Sequence, residues 1–206
     1  LYNRRTRMSG DPHWWIELQM NEHFRALRRY LDLGPNDTIM VGDWTEDDIR
    51  RWVHAGLDWL IRFMSQERVS WYREEWDLDM IYMDEGKTRL SHLGCPDLVM
   101  YSERRQCYMV LDYKSATTKF AYAAPNGTNI ADPDKLLGYA FGSRQRYRRE
   151  YKKDMKRIQI GYVVFIRRRM RPKDKKVTVH LVKERCSPQR LTGWRRRYLK
   201  TLPPSL

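Results

Sequence analysis

The chain has 206 residues, 41% of them apolar, with eight tryptophans and thirteen tyrosines, which suits one domain with or without an added lobe and excludes a disordered chain. No apolar run approaches the roughly 18 residues that cross a bilayer and no signal-peptide pattern opens the sequence, so neither a membrane protein nor a secreted one is expected. The net charge of +14 is lopsided: residues 1–140 carry 18 Lys and Arg against 22 Asp and Glu, and the remainder carries 22 against 4. A field that one-sided points to a polyanion partner, phosphates foremost; the plainer alternatives are a solvated basic face or an arm for an acidic protein or membrane surface.

In chain order, residues 12–33 have apolar spacing of three to four and stop at Gly34-Pro35, which predicts a helix. A second helix is expected from Thr45, with Asp47 and Asp48 in its first turn and Ile49, Trp52, Val53, Leu57, Leu60, Ile61 and Met64 on one face. The period then changes to two. In WYREEWDLDMIY, Trp76, Leu78 and Met80 alternate with Glu75, Asp77 and Asp79, as in a strand with one wet face, and a hairpin turn follows over residues 84–87. Strands near 97–101 and 107–114 flank the polar turn SERRQ, and a long connection runs over residues 115–133. A helix from about Pro133, the strand IQIGYVVFI, the strand VTVHLVKE and a last helix in QRLTGWRRRYLK complete the list. This order predicts an α/β fold in which a central mixed sheet is flanked by helices, with an N-terminal helical segment over 1–44, a core over 45–185 and a basic C-terminal tail over 186–206.

The chemistry concentrates in HLGCPDLVMYSERRQCYMVLDYKS, residues 92–115. Side chains two apart on a strand share a face, so Asp112 and Lys114 point one way and Leu111 and Tyr113 the other. An acid and a lysine at the end of an apolar strand are costly unless each is partnered. They can form a structural ion pair, or Asp112 can share a metal ion with a second acid. Asp97, fifteen residues upstream and behind Pro96, is placed to be that acid on the neighbouring antiparallel strand. Two carboxylates at adjacent strand ends suit Mg²⁺ or Mn²⁺, and a metal held there can activate water against a phosphate, with the lysine orienting that water or neutralising charge. Glu74 and Glu75 are alternative acids or solvated strand residues. His54, about 100° round the helix from the centre of the apolar face at ~100° per residue, is either a capping residue or a ligand. His13, His23 and His180 are expected to be structural or on the surface, with His92 a minor candidate near Asp97.

The pattern P-D followed, fifteen positions after its Asp, by D-Y-K resembles the PD-(D/E)XK nuclease superfamily, and its local wording is similar to the RecB/Cas4-like exonuclease branch. RRWVHAGLDWL resembles that branch's helix with a metal-binding His, and YREEWDLDM, Gly94-Cys95-Pro96-Asp97 and DYKS follow in the expected order. KLLGYAF is similar to the Gln-x-x-x-Tyr element, with Tyr139 in frame and Lys135 where Gln is usual. The resemblance spans about residues 45–182 and implies a restriction-endonuclease-like core. It further implies Asp97, Asp112, His54 and the Tyr113 carbonyl as metal ligands, Lys114 as the catalytic lysine, and Tyr139 with Lys135 on the substrate backbone. Relatives of this kind with an iron–sulfur cluster carry four cysteines; Cys95, Cys107 and Cys186 have no cluster spacing, so no iron–sulfur cluster is expected.

The reading is a divalent-metal-dependent nuclease acting on DNA, with Mg²⁺ or Mn²⁺ as cofactor and two-metal chemistry as an option. Exonuclease or end-processing activity on single strands or ends follows from the resemblance. Arg144, Arg146, Arg148 and Arg149 on the basic helix are expected to track the nucleic-acid backbone. Alternatives are a structure-specific or RNA-directed endonuclease with the same site, or a non-catalytic binding subunit of a recombination, replication or helicase complex. A reducing cytoplasm, by analogy that of a bacterial or phage-infected cell, is the expected setting, with no membrane partner.

Overall fold

The computed structural model describes residues 11–85, 88–118, 121–125, 130–168, 171, 173 and 176–201, and side chains of residues 79–93 are outside that description. Gly86 and Lys87 of the expected turn, and Asn126 and Gly127 of the long connection, lie outside the described residues. The chain forms two units, Leu1–Ile61 with Arg168–Val177, and Arg62–Arg167 with Thr178–Leu206.

In the first unit, α1 (Pro12–Tyr30) starts on Asp11, whose carboxylate accepts the His13 N–H at 2.9 Å, with Pro12 at the first position, where a missing N–H costs nothing. The spacing predicted this helix to residue 33, and it stops at Tyr30. Asp32 adopts a left-handed φ of 52°, and the N–H groups of Asp32 and Leu33 turn back to the carbonyls of Arg29 and Arg28. The ribbon β1 (Met40–Val41) and β2 (Trp44–Thr45) leads into α2 (Glu46–Glu67). That helix begins with a reciprocal cap: the Thr45 hydroxyl accepts the Asp48 N–H at 3.1 Å, and the Asp48 carboxylate accepts the Thr45 N–H at 3.2 Å. Arg50 ties the two helices through Glu17, Asn21 and Glu46.

The second unit is built on a mixed sheet. The alternation across residues 71–82 predicted one strand; there are two, β3 (Val69–Glu74) and β4 (Leu78–Glu85). The break has a physical cause. Glu75 takes a positive φ of 43°, its N–H bonds the Asp97 carbonyl at 3.1 Å, and Trp76 turns inward to 4% exposure, edge-on to Trp71. β4 then pairs with β5 (Thr88–Gly94) as a separate two-stranded ribbon. β6 (Leu98–Ser102), β7 (Cys107–Ala116), α3 (Asp134–Tyr151), β8 (Ile158–Ile166), β9 (Val179–Cys186) and α4 (Pro188–Thr201) complete the unit. The five-stranded sheet has the order β3-β6-β7-β8-β9, with β7 and β8 parallel and the other pairs antiparallel. Parallel neighbours need a crossover, and α3 supplies it. The α/β architecture expected from the sequence, a central mixed sheet with helices against it, is the one observed.

Packing explains which face carries what. Val110 and Ala116 of β7, and Ile158, Ile160, Tyr162 and Val164 of β8, meet Leu136, Leu137 and Ala140 of α3 in one core. On the other face Leu98, Met100, Met109, Leu111 and Val163 are fully buried. α4 is no free tail: Leu191 and Trp194 are buried, and the Trp194 indole lies so close to Gly138 of α3 that a Cβ there would meet it at 3.3 Å. Among the described residues no helix is long and apolar enough to cross a membrane.

Candidate active site

Strand register brings the two acids together. β6 and β7 pair antiparallel with Leu98 opposite Leu111, so one step further Asp97 stands opposite Asp112. Directly opposed residues share a face, with Cβ atoms about 4.5–5.5 Å apart. β6 ends at Leu98, which leaves the next outward N–H of β7 without a strand partner. The Asp97 carboxylate takes that role and accepts the Tyr113 N–H. A strand residue sends its N–H and C=O to the same side, so the Tyr113 carbonyl also points past the end of β6, toward Asp97.

Asp112 is 2% exposed and lies on the α3 side of the sheet, between Val110 and Lys114. Two ammonium groups meet it. Lys114 contacts Oδ2, and Lys135, second residue of α3, donates to Oδ1 at 3.0 Å. Lys114 approaches Oδ2 without hydrogen-bond geometry, and that buried oxygen has no hydrogen-bond partner. Lys114 also lies over the Tyr162 ring at 5.7 Å, and Lys135 over the Tyr139 ring at 5.2 Å. Burial pulls the Lys135 pKa down, but the hydrogen bond to Asp112 and its charge outweigh this and hold it above the ordinary lysine value. Burial and the nearby Asp112 charge push the Tyr162 hydroxyl up to about 12.

These residues fit a hard divalent cation. The donors are oxygens: the Asp97 carboxylate, the Asp112 carboxylate, now held by two ammonium groups, and the Tyr113 carbonyl. Among the described residues no group of three or more His, Cys, Asp or Glu side chains is arranged to hold a metal. A cation here would therefore complete its shell with main-chain, water or phosphate oxygens, as Mg²⁺ does.

The other expected residues have the following partners. His54 is in the first unit, and both ring nitrogens are engaged there, Nδ1 with His13 Nδ1 at 2.7 Å and Nε2 with Glu17. His13 in turn reaches Asp58 at 3.1 Å, so two histidines and two carboxylates clasp α1 to α2. The hydrogen bond to His54 lowers the Glu17 pKa against the opposing effect of burial. Of the α3 arginines, Arg144 and Arg148 both fork onto Asp154, and Arg146 pairs with Glu150 and donates to the Asp77 carbonyl. Arg149 is also engaged. Glu74 faces Leu98 across the sheet, and burial with the Glu75 charge raises its pKa. The His92 side chain lies outside the described residues.

A basic concavity of about 440 Å³ went unnoticed in the sequence; it is lined by Arg105, Lys156, Arg157 and Arg185, where β7 and β8 begin and β9 ends. Its cations are scattered over three loops and strand ends, so no contiguous run announces it. Burial and the Arg105 charge lower the pKa of neighbouring Lys183.

No family model matches this chain, and no curated protein matches it. Among solved structures it is similar to one titled "Crystal structure of SSO0001", with a TM-score of 0.37 and 9% identity, covering 74% of this chain and 59% of that one. The chain thus spans less than two thirds of that protein's length, and so slight a likeness carries no argument about activity.

Proposed function

We propose that the chain is a divalent-metal-dependent nuclease of the PD-(D/E)XK kind that hydrolyses DNA phosphodiester bonds, as an exonuclease or end-processing enzyme on single strands or ends. The observation that carries the reading is Asp112: a buried carboxylate opposite Asp97, with Lys114 of the same strand face on one oxygen and Lys135 on the other. Asp97, Asp112 and the Tyr113 carbonyl would hold Mg²⁺ or Mn²⁺. Such an ion, when bound, lowers the pKa of water and offsets charge on a phosphate under attack. Lys114, less exposed than Lys135, positions the attacking water and neutralises charge at phosphorus. Lys135 and Tyr139, at the start of α3, hold a non-bridging phosphate oxygen of the strand. The concavity lined by Arg105, Lys156, Arg157 and Arg185 offers a second backbone contact without reading sequence.

The test is cleavage of end-labelled linear and of circular single-stranded DNA with Mg²⁺, Mn²⁺ or EDTA, by the intact protein and by Asp112→Asn. Metal-dependent loss of the linear substrate alone, abolished by the substitution, is the expected result. Cutting of the circle would make the enzyme an endonuclease. Cleavage unaffected by Asp112→Asn would place the chemistry elsewhere, and binding without cleavage would leave a nucleic-acid-binding subunit.

A further inference from the structure

We infer that Lys135 is a positioning residue that holds Asp112 against metal in the free protein and releases it when a phosphate strand arrives, so that metal and nucleic acid bind cooperatively. The inference rests on the nuclease reading and adds a control to the same site.

Charge is the first ground. Asp112 is one carboxylate in contact with two ammonium groups, so even with Asp97 opposite, the negative charge of the site is already balanced. A divalent cation entering that space meets two like charges at close range, Lys135 on Oδ1 at 3.0 Å and Lys114 on Oδ2. The two lysines are not equivalent. Lys114 rises from the strand that carries Asp112, and its side chain is 27% exposed. Lys135 comes from another element and is 48% exposed, so its long stem can swing away while the backbone stays in place.

The destination of that swing is the second ground. An ammonium that leaves a carboxylate forfeits an ion pair, and a second anion within reach offsets that loss. A phosphate lying over the N-terminal turn of α3 supplies one, next to Tyr139, whose ring already steadies Lys135 from 5.2 Å. The strand thereby removes a cation from Asp112 and adds negative charge beside it, and both changes favour a divalent ion. Linkage makes the coupling reciprocal: bound metal tightens nucleic-acid binding by the same factor.

The experiment is a Mn²⁺ titration of the full chain, following the unbound ion by electron paramagnetic resonance, with and without a cleavage-resistant phosphorothioate oligonucleotide. Wild type, Lys135→Gln, Lys135→Arg and Asp112→Asn are compared. Without oligonucleotide, Lys135→Gln binds Mn²⁺ up to about fivefold more tightly than wild type, the equivalent of one partly exposed charge contact removed, while Lys135→Arg stays near wild type. The oligonucleotide tightens Mn²⁺ binding in wild type and Lys135→Arg, and much less in Lys135→Gln. If Lys135→Gln binds Mn²⁺ no better than wild type while Asp112→Asn abolishes binding, the control by Lys135 is refuted and the metal site stands. If Asp112→Asn binds as wild type does, the ion is not at Asp112 and the nuclease reading of this site falls too. Equal behaviour of the Gln and Arg variants would show that the lysine's charge is not what matters, and would also overturn the inference.

Discussion

Asp154 is where the charge reading of α3 can be tested most sharply. The sequence presents Arg144 and Arg148 as cations for a nucleic-acid backbone, yet both guanidiniums fork onto Asp154, with four N···O distances of 2.7–2.8 Å. The hydrogen bonds from Arg144 and then Arg148 hold the Asp154 carboxyl far below the usual range, against the opposing effect of burial. Asp154→Asn keeps the shape and removes the charge. Charge-assisted hydrogen bonds contribute roughly 1.5–3 kcal/mol each when sheltered, but Arg148 is 53% exposed, so its share is discounted for solvent screening. A loss of about 2 kcal/mol results, which at this chain length lowers Tm by about 4–8 °C. A depressed carboxyl stabilises above its unfolded pKa of 3.8, and that contribution is lost as pH falls through the folded value. Thermal unfolding followed by circular dichroism should therefore show the wild-type advantage in full at pH 7 and shrinking steadily below about pH 4. An unchanged Tm at pH 7, or a difference that persists undiminished in strong acid, would refute the clamp and return both arginines to the pool of free cations.

Two further outcomes are expected. Gly161 lies in the middle of β8, where an added Cβ would meet the Val182 carbonyl at 2.8 Å and Leu111 and Lys183 atoms at 3.2 Å. Gly161→Ala should cost about 1–3 kcal/mol by overpacking, read from urea unfolding midpoints; an unaltered midpoint would mean the sheet gives way there. Replacing Lys156, Arg157 and Arg185 together by Gln should weaken binding of single-stranded DNA in EDTA. The slope of log K against log salt should fall by about 2 in magnitude, at ~0.7 per phosphate contact on single strands, and an unchanged slope would exclude this concavity from the interface.

What was readable in the sequence follows from range. Local signals worked: the Thr45–Asp48 cap, the apolar spacing of α2, the nine-residue run of β8 and the Gly-free stretch of α4 from Trp194 onward are decided by neighbours a few residues apart. The opposition of Asp97 and Asp112 was also legible, because a short turn between two strands leaves few possible registers. The break after Glu74 was not. Alternation runs unbroken from Glu75 to Met80 on paper, and the departure at Glu75 is supported by the distant Asp97 carbonyl and the Trp71 ring. The fate of the arginines was hidden for the same reason, since Asp154 lies just past the helix and nothing local marks it as a partner for two of them. His54 shows the converse limit: a motif gives a residue type and a position, while the ring's actual partners, His13 and Glu17, come from a helix some forty residues upstream.

The packing of the fold does not need Asp112. Its neighbours on the same face of β7 are Val110 and Ala116 with Lys114 between, and the α3 core around them is apolar. A buried ionic group exchanged for a packed apolar one usually leaves stability unchanged or raises it. A valine would continue the pattern and leave two lysines free to reach solvent from positions that are already part-exposed. The chain instead places a second acid opposite, sends a carbonyl toward the gap, and brings an ammonium from a separate helix to keep the carboxylate neutralised. Each of these departures from simple packing carries a cost, and all of them converge on one strand end. Local rules broken together at one place, in a fold that elsewhere obeys them, are what a binding or catalytic requirement leaves behind.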